Sequence, residues 1–225
     1  MLKKKVGLYF FVKTPGLSPI KTRLASGIGR ENTDVFYRYA LQAIEAIGHK
    51  LMEEIPTLQV YWAVAEETGL QDPCWKQFPT LSQGEGPLAD RLSCIYDQAF
   101  KRHQQVIFMG SDSPHLIFAD LKKALINTPQ DKFILGKTLD GGFYYFSSGF
   151  KINRTDWNSV EYSSNQTADQ LVKNFSKIAP FQFIGESFDI DTKEDLLRYK
   201  SLDLNSEIYL DQQITLFKKS RELLT

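Results

Sequence analysis

Short apolar runs alternate along this chain with longer segments whose apolar residues recur at helical spacing. The runs predict strands over residues 5–12, 58–65, 105–109, 133–137, 142–146 and 181–184. The helical spacing predicts helices over residues 35–51, 87–100, 117–125, 168–175 and 192–199, with a further outer helix within 205–225. Strands separated by helices form βαβ units. The sequence therefore predicts an α/β fold with a mostly parallel sheet, in which the closely spaced runs 133–137 and 142–146 add an antiparallel part.

The length and charge of the chain limit its organisation and its partners. No linker rich in Gly, Ser or Pro divides the 225 residues. We therefore expect one domain over 1–225, with a core at about 5–200 and a helical tail at 203–225. Lys and Arg number 27, as do Asp and Glu, so the net charge is zero. This balance argues against a general nucleic-acid or membrane surface, and any anion site must be a local cluster.

The N-terminal segment and the cysteines indicate a cytoplasmic protein. The apolar run at 6–12 is too short to span a membrane. It is also followed at once by Lys13 and lacks the small-residue cleavage pattern of a signal peptide. Cys74 and Cys94 have no metal-binding spacing, and we interpret them as reduced thiols that serve packing.

Two acidic segments are candidates for a metal site. Asp112 follows the predicted strand 105–109 in the segment Gly110-Ser111-Asp112-Ser113-Pro114, and Asp189-Ile190-Asp191 precedes a helix with a capping box at Thr192. Ligands of open α/β sheets bind beyond the carboxyl ends of strands. One carboxylate from each segment would suit Mg²⁺ or Mn²⁺, which take oxygen ligands. The alternative is that these residues only form turns and helix caps.

The loop after the first strand carries the cations Lys13, Lys21 and Arg23. Such side chains donate to phosphate oxygens, although an ordinary solvated loop has the same composition. The loop is neither a Walker motif nor a G-x-G-x-x-G fingerprint.

A glycine turn stands between the two close strands. Asp140-Gly141-Gly142 is either a hairpin turn or a place where a ligand approaches the backbone closely. His115 is expected to be a packed residue, and no Ser/His/Asp or Cys/His arrangement is present.

Five segments in this order resemble a bacterial family within the nucleotide-diphospho-sugar transferase (GT-A) superfamily. The segments are Lys13…Lys21-Thr22-Arg23-Leu24, Gly110-Ser111-Asp112-Ser113-Pro114, Asp140-Gly141-Gly142-Phe143-Tyr144, Ser164…Gln166-Thr167, and Asp189-Ile190-Asp191-Thr192…Glu194-Asp195-Leu196. Its members are uncharacterised or radical-SAM-associated glycosyltransferases. The phospholactate guanylyltransferases and the molybdenum-cofactor nucleotidyltransferases are more distantly similar.

The resemblance implies a Rossmann-like three-layer α/β/α sandwich that binds a nucleotide at the carboxyl edge of its sheet. By position, Lys13, Lys21 and Arg23 would contact phosphate, and Asp112 and Asp191 would hold the metal, with Asp189 a weaker candidate. Asp140, Gly141 and Gly142 would line the acceptor side. Arg91 keeps the place of an arginine that contacts the nucleotide in relatives, although the Gly-Asp-Leu-Gly string before it is altered to Gly86-Pro87-Leu88-Ala89.

Three functions are compatible with these features. The first is a metal-dependent glycosyltransferase with a nucleotide-sugar donor, in which Asp112 serves catalysis through the metal and Asp140 is the general base. The second is a nucleotidyltransferase that moves a nucleotide from a triphosphate to a phosphorylated small molecule and releases pyrophosphate. The third is a nucleotide-binding protein without turnover. The base, the sugar, the acceptor and the oligomeric state are not indicated by the sequence.

Overall fold

A seven-stranded mixed sheet forms the centre of the protein. The computed structural model describes residues 5–127, 129, 131–205 and 207–224. The strands are β1 (Val6–Val12), β2 (Leu58–Val64), β3 (Thr80–Ser82), β4 (Gln105–Gly110), β5 (Phe133–Thr138), β6 (Phe143–Ser148) and β7 (Phe181–Ser187). Their order in the sheet is β3-β2-β1-β4-β6-β5-β7, and β6 runs antiparallel to β4 and β5. The predicted α/β class with a mostly parallel sheet is confirmed.

Helices cover both faces of the sheet. They are α1 (Thr22–Ile28), α2 (Arg30–Glu54), α3 (Leu88–Phe100), α4 (Phe118–Ile126), α5 (Arg154–Trp157), α6 (Thr167–Phe175), α7 (Lys193–Lys200) and α8 (Asp211–Glu222). One apolar cluster joins α2 and α4 to one face, and a second joins α3, α5 and α6 to the other. None of the helices in the described ranges combines the length and apolar character needed to cross a membrane.

The structure extends several sequence predictions and adds elements that the pattern did not show. The helix predicted at 35–51 is longer, as α2 begins at Arg30 and ends at Glu54. Helix α1 was missed because only Leu24 of its seven residues is buried, so it has no apolar periodicity. Strand β3 was missed because it has three residues. Of the tail predicted as helix, α8 is confirmed, while residues 206 and 225 lie outside the described part.

The C-terminal helix α8 supports the loop that carries Asp112. Leu216 and Phe217 of α8 pack against α2 and α7 in a third apolar cluster. The buried side chain of Gln213 donates to the carbonyl oxygens of Pro114 (2.8 Å) and Leu116 (3.0 Å). Because buried carbonyl groups are stabilised by such donors, α8 fixes the backbone just beyond the acidic loop.

Candidate functional site

A cavity of about 1050 Å³ lies at the edge of the sheet where the parallel strands β1, β2 and β4 end. This is the edge at which open α/β sheets bind ligands. It brings together most of the site residues predicted from the sequence, namely Lys13, Lys21, Arg23, Asp112, Asp140, Gly142, Asp189 and Asp191. Gly141 and Arg91 do not line it.

The ammonium group of Lys21 lies between the two acidic segments. Its Nζ is 2.6 Å from Asp112 Oδ1 and 3.0 Å from Asp191 Oδ1, and it donates to the carbonyl of Ile190 at 2.7 Å. These three partners use all three donors of an ammonium group. Arg23 Nη2 lies 2.9 Å from the other oxygen of Asp191. The carboxyl groups at 112 and 191 therefore meet at one cation, as the predicted site requires.

Lys21 is held in an unusual backbone conformation just before α1. Its φ of 45° and ψ of 52° are left-handed, which L-residues with a side chain adopt at a cost. The side chain is only 3% exposed. Burial lowers the pKa of Lys21, but the negative charges of Asp112 and Asp191 outweigh burial and raise it. The lysine is therefore a permanent internal cation between the two carboxylates.

Asp189 is the buried acid of the cluster. Its Oδ1 accepts a hydrogen bond from Ser113 Oγ at 2.7 Å, and the backbone N–H of Ile190 donates to the carbonyl of Asp112 at 2.9 Å. Burial and the nearby charge of Asp112 raise the pKa of Asp189 to about 7. The buried carboxylate of Asp189 and the partly exposed one of Asp112 repel each other, and an added cation would stabilise both.

Two of the three acids in this cluster have a carboxylate oxygen that could bind a divalent metal. Within the described residues, no three His, Cys, Asp or Glu side chains form a complete metal site. Mg²⁺ and Mn²⁺ are, however, commonly held by one or two carboxylates together with water and substrate phosphates. Asp112 and Asp189 each keep a carboxylate oxygen that no donor takes in the described chain, whereas both oxygens of Asp191 are paired. The residues fit such a cation, with Asp189 better suited than Asp191 as the second ligand.

The loop between β1 and α1 is held by residues that the sequence reasoning missed. Glu66, just after β2, accepts hydrogen bonds from the backbone N–H of Thr14 (2.7 Å) and from the hydroxyl of Ser18. Tyr37 of α2 donates to the carbonyl of Lys13 at 3.0 Å and accepts from its N–H at 3.1 Å. The one sequence feature that could have identified Glu66 is its position directly after an apolar strand, which it shares with Asp112. The basic loop is thus fixed without a glycine-rich sequence.

The turn Asp140-Gly141-Gly142, here called the Asp140 turn, reaches the same cavity from the end of β5, two strands beyond β4 in the sheet. Asp140 Oδ1 accepts hydrogen bonds from Thr138 Oγ1 (2.6 Å) and from the backbone N–H of Gly142 (3.1 Å). Gly141 has a φ of +91°, and its carbonyl accepts from the N–H of Ala168 at 2.9 Å. Gly141 therefore shapes the turn and joins it to α6, rather than lining the cavity itself.

Arg91 supports the wall of the cavity. Its Nε donates to the carbonyl of Gly86 at 2.9 Å and its Nη1 to the carbonyl of Ala65 at 3.0 Å. These bonds link the start of α3 to the end of β2. In this arrangement Arg91 fixes backbone around the cavity, and a direct phosphate contact stays a prediction from the resemblance.

His115 is packed, as expected, and predicts a pH dependence of stability. Its ring packs at a tilt against Phe188, with 4.2 Å between the ring centroids, and burial, followed by the charge of Arg198, lowers its pKa from 6.5 to about 4. Between these two pKa values the unfolded chain binds a proton that the folded protein does not. The contribution of neutral His115 is therefore complete above pH 6.5 and is lost as the pH falls to about 4.

We expect the native protein to lose up to about 3 kcal/mol more stability than His115→Gln between pH 6.5 and 4. Urea denaturation of both proteins over this range measures the difference, in which the shared carboxylate titrations cancel. Parallel curves for the two proteins would contradict a neutral buried imidazole.

Solved structures share this fold. A candidate nucleotide-diphospho-sugar transferase from Desulfovibrio desulfuricans G20 superposes with a TM-score of 0.85 at 20% identity, covering 98% of this chain and 97% of that chain. A cytidylyltransferase from Leptospira borgpetersenii gives 0.50 at 15% identity, covering 98% and 97%. A 4-diphosphocytidyl-2C-methyl-D-erythritol synthase from Anaerococcus prevotii gives 0.52 at 10% identity, covering 87% and 96%. At these identities the likeness is one of fold, and it confirms the predicted fold, which is that of the nucleotide-diphospho-sugar transferases.

Sequence comparison gives the family. Among curated proteins, none matches the chain. Residues 49–164, just over half of the 225, match the model of a family described as an uncharacterized protein conserved in bacteria, DUF2064. The chain is a member of this bacterial family.

Proposed function

We propose that the protein is a metal-dependent glycosyltransferase that uses a nucleotide sugar as donor and a hydroxyl compound as acceptor. The observation that supports this best is the distribution of charge in the cavity. Among the described lining residues, the cations Lys13, Lys21 and Arg23 all come from the segment that joins β1 to the first turn of α1. The part lined by the Asp140 turn and by residues 162–167, here called the Asp140 wall, offers the carboxylate of Asp140 and, in the described residues, no cation. One end of the cavity therefore suits phosphates, and the other suits a neutral hydroxyl group.

The diphosphate of the donor would lie at the charged end. Arg23 is two-thirds exposed, and only one of its nitrogens is engaged by Asp191, so its other donors are available to a phosphate. Asp112 and Asp189 would hold Mg²⁺ or Mn²⁺, which when bound would neutralise charge on a nucleoside diphosphate leaving group. Lys21 would keep Asp112 and Asp191 in place during the reaction, because it is already bonded to both.

Asp140 would act as the general base for the acceptor. Its Oδ1 is held by Thr138 and Gly142, which fixes the carboxyl group and leaves the other oxygen to accept a proton. As the acceptor oxygen bonds to the anomeric carbon, its proton passes to Asp140 and the bond to the diphosphate breaks. This arrangement gives inversion at the anomeric carbon.

Nucleotidyl transfer is the second candidate, supported by the cytidylyltransferases that share the fold. Its acceptor is a phosphate, which favours a cationic partner beside it. The Asp140 wall has none in the described residues, so the charge distribution favours glycosyl transfer.

Asp112→Asn is expected to lower turnover by about 10²–10³-fold, the usual effect of removing one group that stabilises transition-state charge. The assay supplies a panel of nucleotide sugars with Mn²⁺ or Mg²⁺ and alcohol acceptors, and measures release of nucleoside diphosphate. The control is Asp34→Asn, which removes an exposed carboxylate of α2 paired with Arg30. Pyrophosphate release from nucleoside triphosphates by the native protein would favour the second candidate. Equal turnover of Asp112→Asn and the native protein would exclude the assigned role of Asp112.

A further inference from the structure

An apolar slot opens from the cavity beside the Asp140 turn. It is formed by apolar side chains that line the same cavity as Gly110, the last residue of β4. Its members are Phe11, Leu88, Leu92, Phe108, Phe143 and Tyr162. Phe11, Phe143 and Tyr162 are partly buried and pack against the apolar cluster under α3 and α6. The slot is thus the place where this cluster is open to the cavity.

Gly110 provides the floor of the slot. It shares a sheet face with Phe108, because side chains alternate along a strand. Within the part of the chain that the structure describes, a Cβ built on Gly110 would meet only the backbone nitrogen of Asp112, at 3.9 Å, so the space above it is open. Phe11 lies opposite Gly110 on β1 in the sheet register. Because Gly110 has no side chain, a gap remains on this face of the sheet beside Phe11.

A β-bulge turns Phe143 toward the same face. The pairing of β5 with β6 shifts register where Gly136 and Lys137 face Tyr145 and Phe143. Tyr145 packs in the cluster under α2, whereas Phe143 packs against the opposite cluster, although strict alternation would put both on one face. Bulges near active sites commonly re-aim a side chain in this way. The second wall of the slot is therefore built by a specific backbone irregularity.

The slot offers little to a polar ligand. Its walls carry no charged side chain. The hydroxyl of Tyr162 is buried and has no hydrogen-bond partner in the described residues, so the ring, not the hydroxyl, faces the slot. Sugar and phosphate groups need convergent polar partners, whereas apolar and aromatic walls suit a flat apolar group.

We propose that this slot binds an apolar or aromatic body of the acceptor, whose hydroxyl group lies at Asp140. This inference rests on the proposed glycosyl transfer, and it assigns the acceptor class as ring-bearing alcohols rather than sugar phosphates or free sugars. Phe143 lies three residues after Asp140 and lines the same cavity, so one acceptor molecule spans both.

Binding of two probe alcohols tests the slot without turnover. The native protein, saturated with the nucleoside diphosphate that stabilises it most, is titrated with 2-phenylethanol and with glycerol in calorimetry or ligand-observed NMR. We expect 2-phenylethanol to bind at least tenfold more tightly, because its ring is removed from water. Equal affinities for the two alcohols would overturn the proposal.

Substitutions at Gly110 test whether 2-phenylethanol binds in the slot. Gly110→Val fills the slot and is expected to weaken 2-phenylethanol binding at least tenfold, while Gly110→Ala, whose methyl group has room, changes it less than about twofold. Nucleoside diphosphate affinity is expected to stay within twofold in both variants. Phe143→Ala gives a second test if Gly110→Val does not fold, and Phe183→Ala removes an exposed aromatic of β7 as the control.

These experiments distinguish a failure of the acceptor proposal from a failure of the proposed glycosyl transfer. If Gly110→Val or Phe143→Ala weakens nucleotide binding as much as alcohol binding, the slot holds the nucleobase, and the acceptor proposal is wrong. If neither variant affects 2-phenylethanol, the alcohol binds elsewhere, and the proposal is also wrong. If no nucleotide binds the native protein while 2-phenylethanol binds at Gly110, the proposed glycosyl transfer fails, and the slot remains as an apolar binding site only.

Discussion

Lys21→Met is expected to lower the free energy of unfolding by about 3 kcal/mol. Removing one partner of a buried ion pair leaves the other charge uncompensated, at a cost of about 3–5 kcal/mol. We expect the lower end of that range, because Asp112 is 42% exposed and Asp191 keeps its contact with Arg23. Methionine retains the length of the side chain, so lost packing adds little. Urea denaturation at pH 7 gives the value.

A double variant separates charge from packing in this prediction. If the cost comes from the uncompensated carboxylate, Lys21→Met with Asp112→Asn is expected to recover about 1–2 kcal/mol relative to Lys21→Met alone. Lys50→Met is the matched control, since Lys50 forms its ion pairs on the surface of α2, and its loss is expected to leave stability nearly unchanged. A double variant no more stable than Lys21→Met would show that the lysine acts through packing or through its left-handed backbone.

The position of Asp112 could be predicted from sequence because the signals are local. An apolar run gives β4, and the parallel arrangement of β1 and β4 brings their ends to one edge. The role of Lys21 could not be predicted in this way. The resemblance implied a phosphate contact, but the structure engages the ammonium with Asp112, Asp191 and the carbonyl of Ile190. Those partners depend on a left-handed backbone and on long-range packing, which leave no periodic pattern in the sequence.

The meeting of the two acidic segments also depends on long-range topology. Asp189 follows β7, which lies at the edge of the sheet, three strands away from β4 in the order β4-β6-β5-β7. The chain returns across the end of the sheet, and Ser113 then bonds Asp189. The sequence patterns predicted a capped helix after Asp191 and suggested a metal site with one carboxylate from each segment, and the resemblance to a known family implied the same site. The sequence does not show which of Asp189 and Asp191 suits a metal better. The structure favours Asp189, because both carboxylate oxygens of Asp191 are already paired with cations.

Gly141→Ala is expected to lower the free energy of unfolding by about 2–5 kcal/mol. The φ of +91° accounts for about 1–2 kcal/mol of this for any residue with a side chain. The remainder comes from overpacking, because a Cβ on Gly141 would lie 2.0 Å from the carbonyl oxygen of Asn165 and 2.4 Å from its carbon. Both atoms belong to backbone, which cannot rotate aside as a side chain could.

Gly16→Ala is the matched control for this effect. Gly16 has the same φ of +91°, but no heavy atom of the described residues lies within 4 Å of its added Cβ, so Gly16→Ala reports backbone strain alone. Denaturation of both variants should show Gly141→Ala less stable by about 1–3 kcal/mol, the overpacking contribution.

The carbonyl of Gly141 also accepts a hydrogen bond from the N–H of Ala168, so displacing residues 161–165 moves the start of α6 and the Asp140 turn together. We therefore expect the folded fraction of Gly141→Ala to lose turnover while it retains nucleotide binding at the charged end. Equal costs for the two variants would mean that the 161–165 loop yields freely, and the Asp140 turn would then not be fixed by that contact.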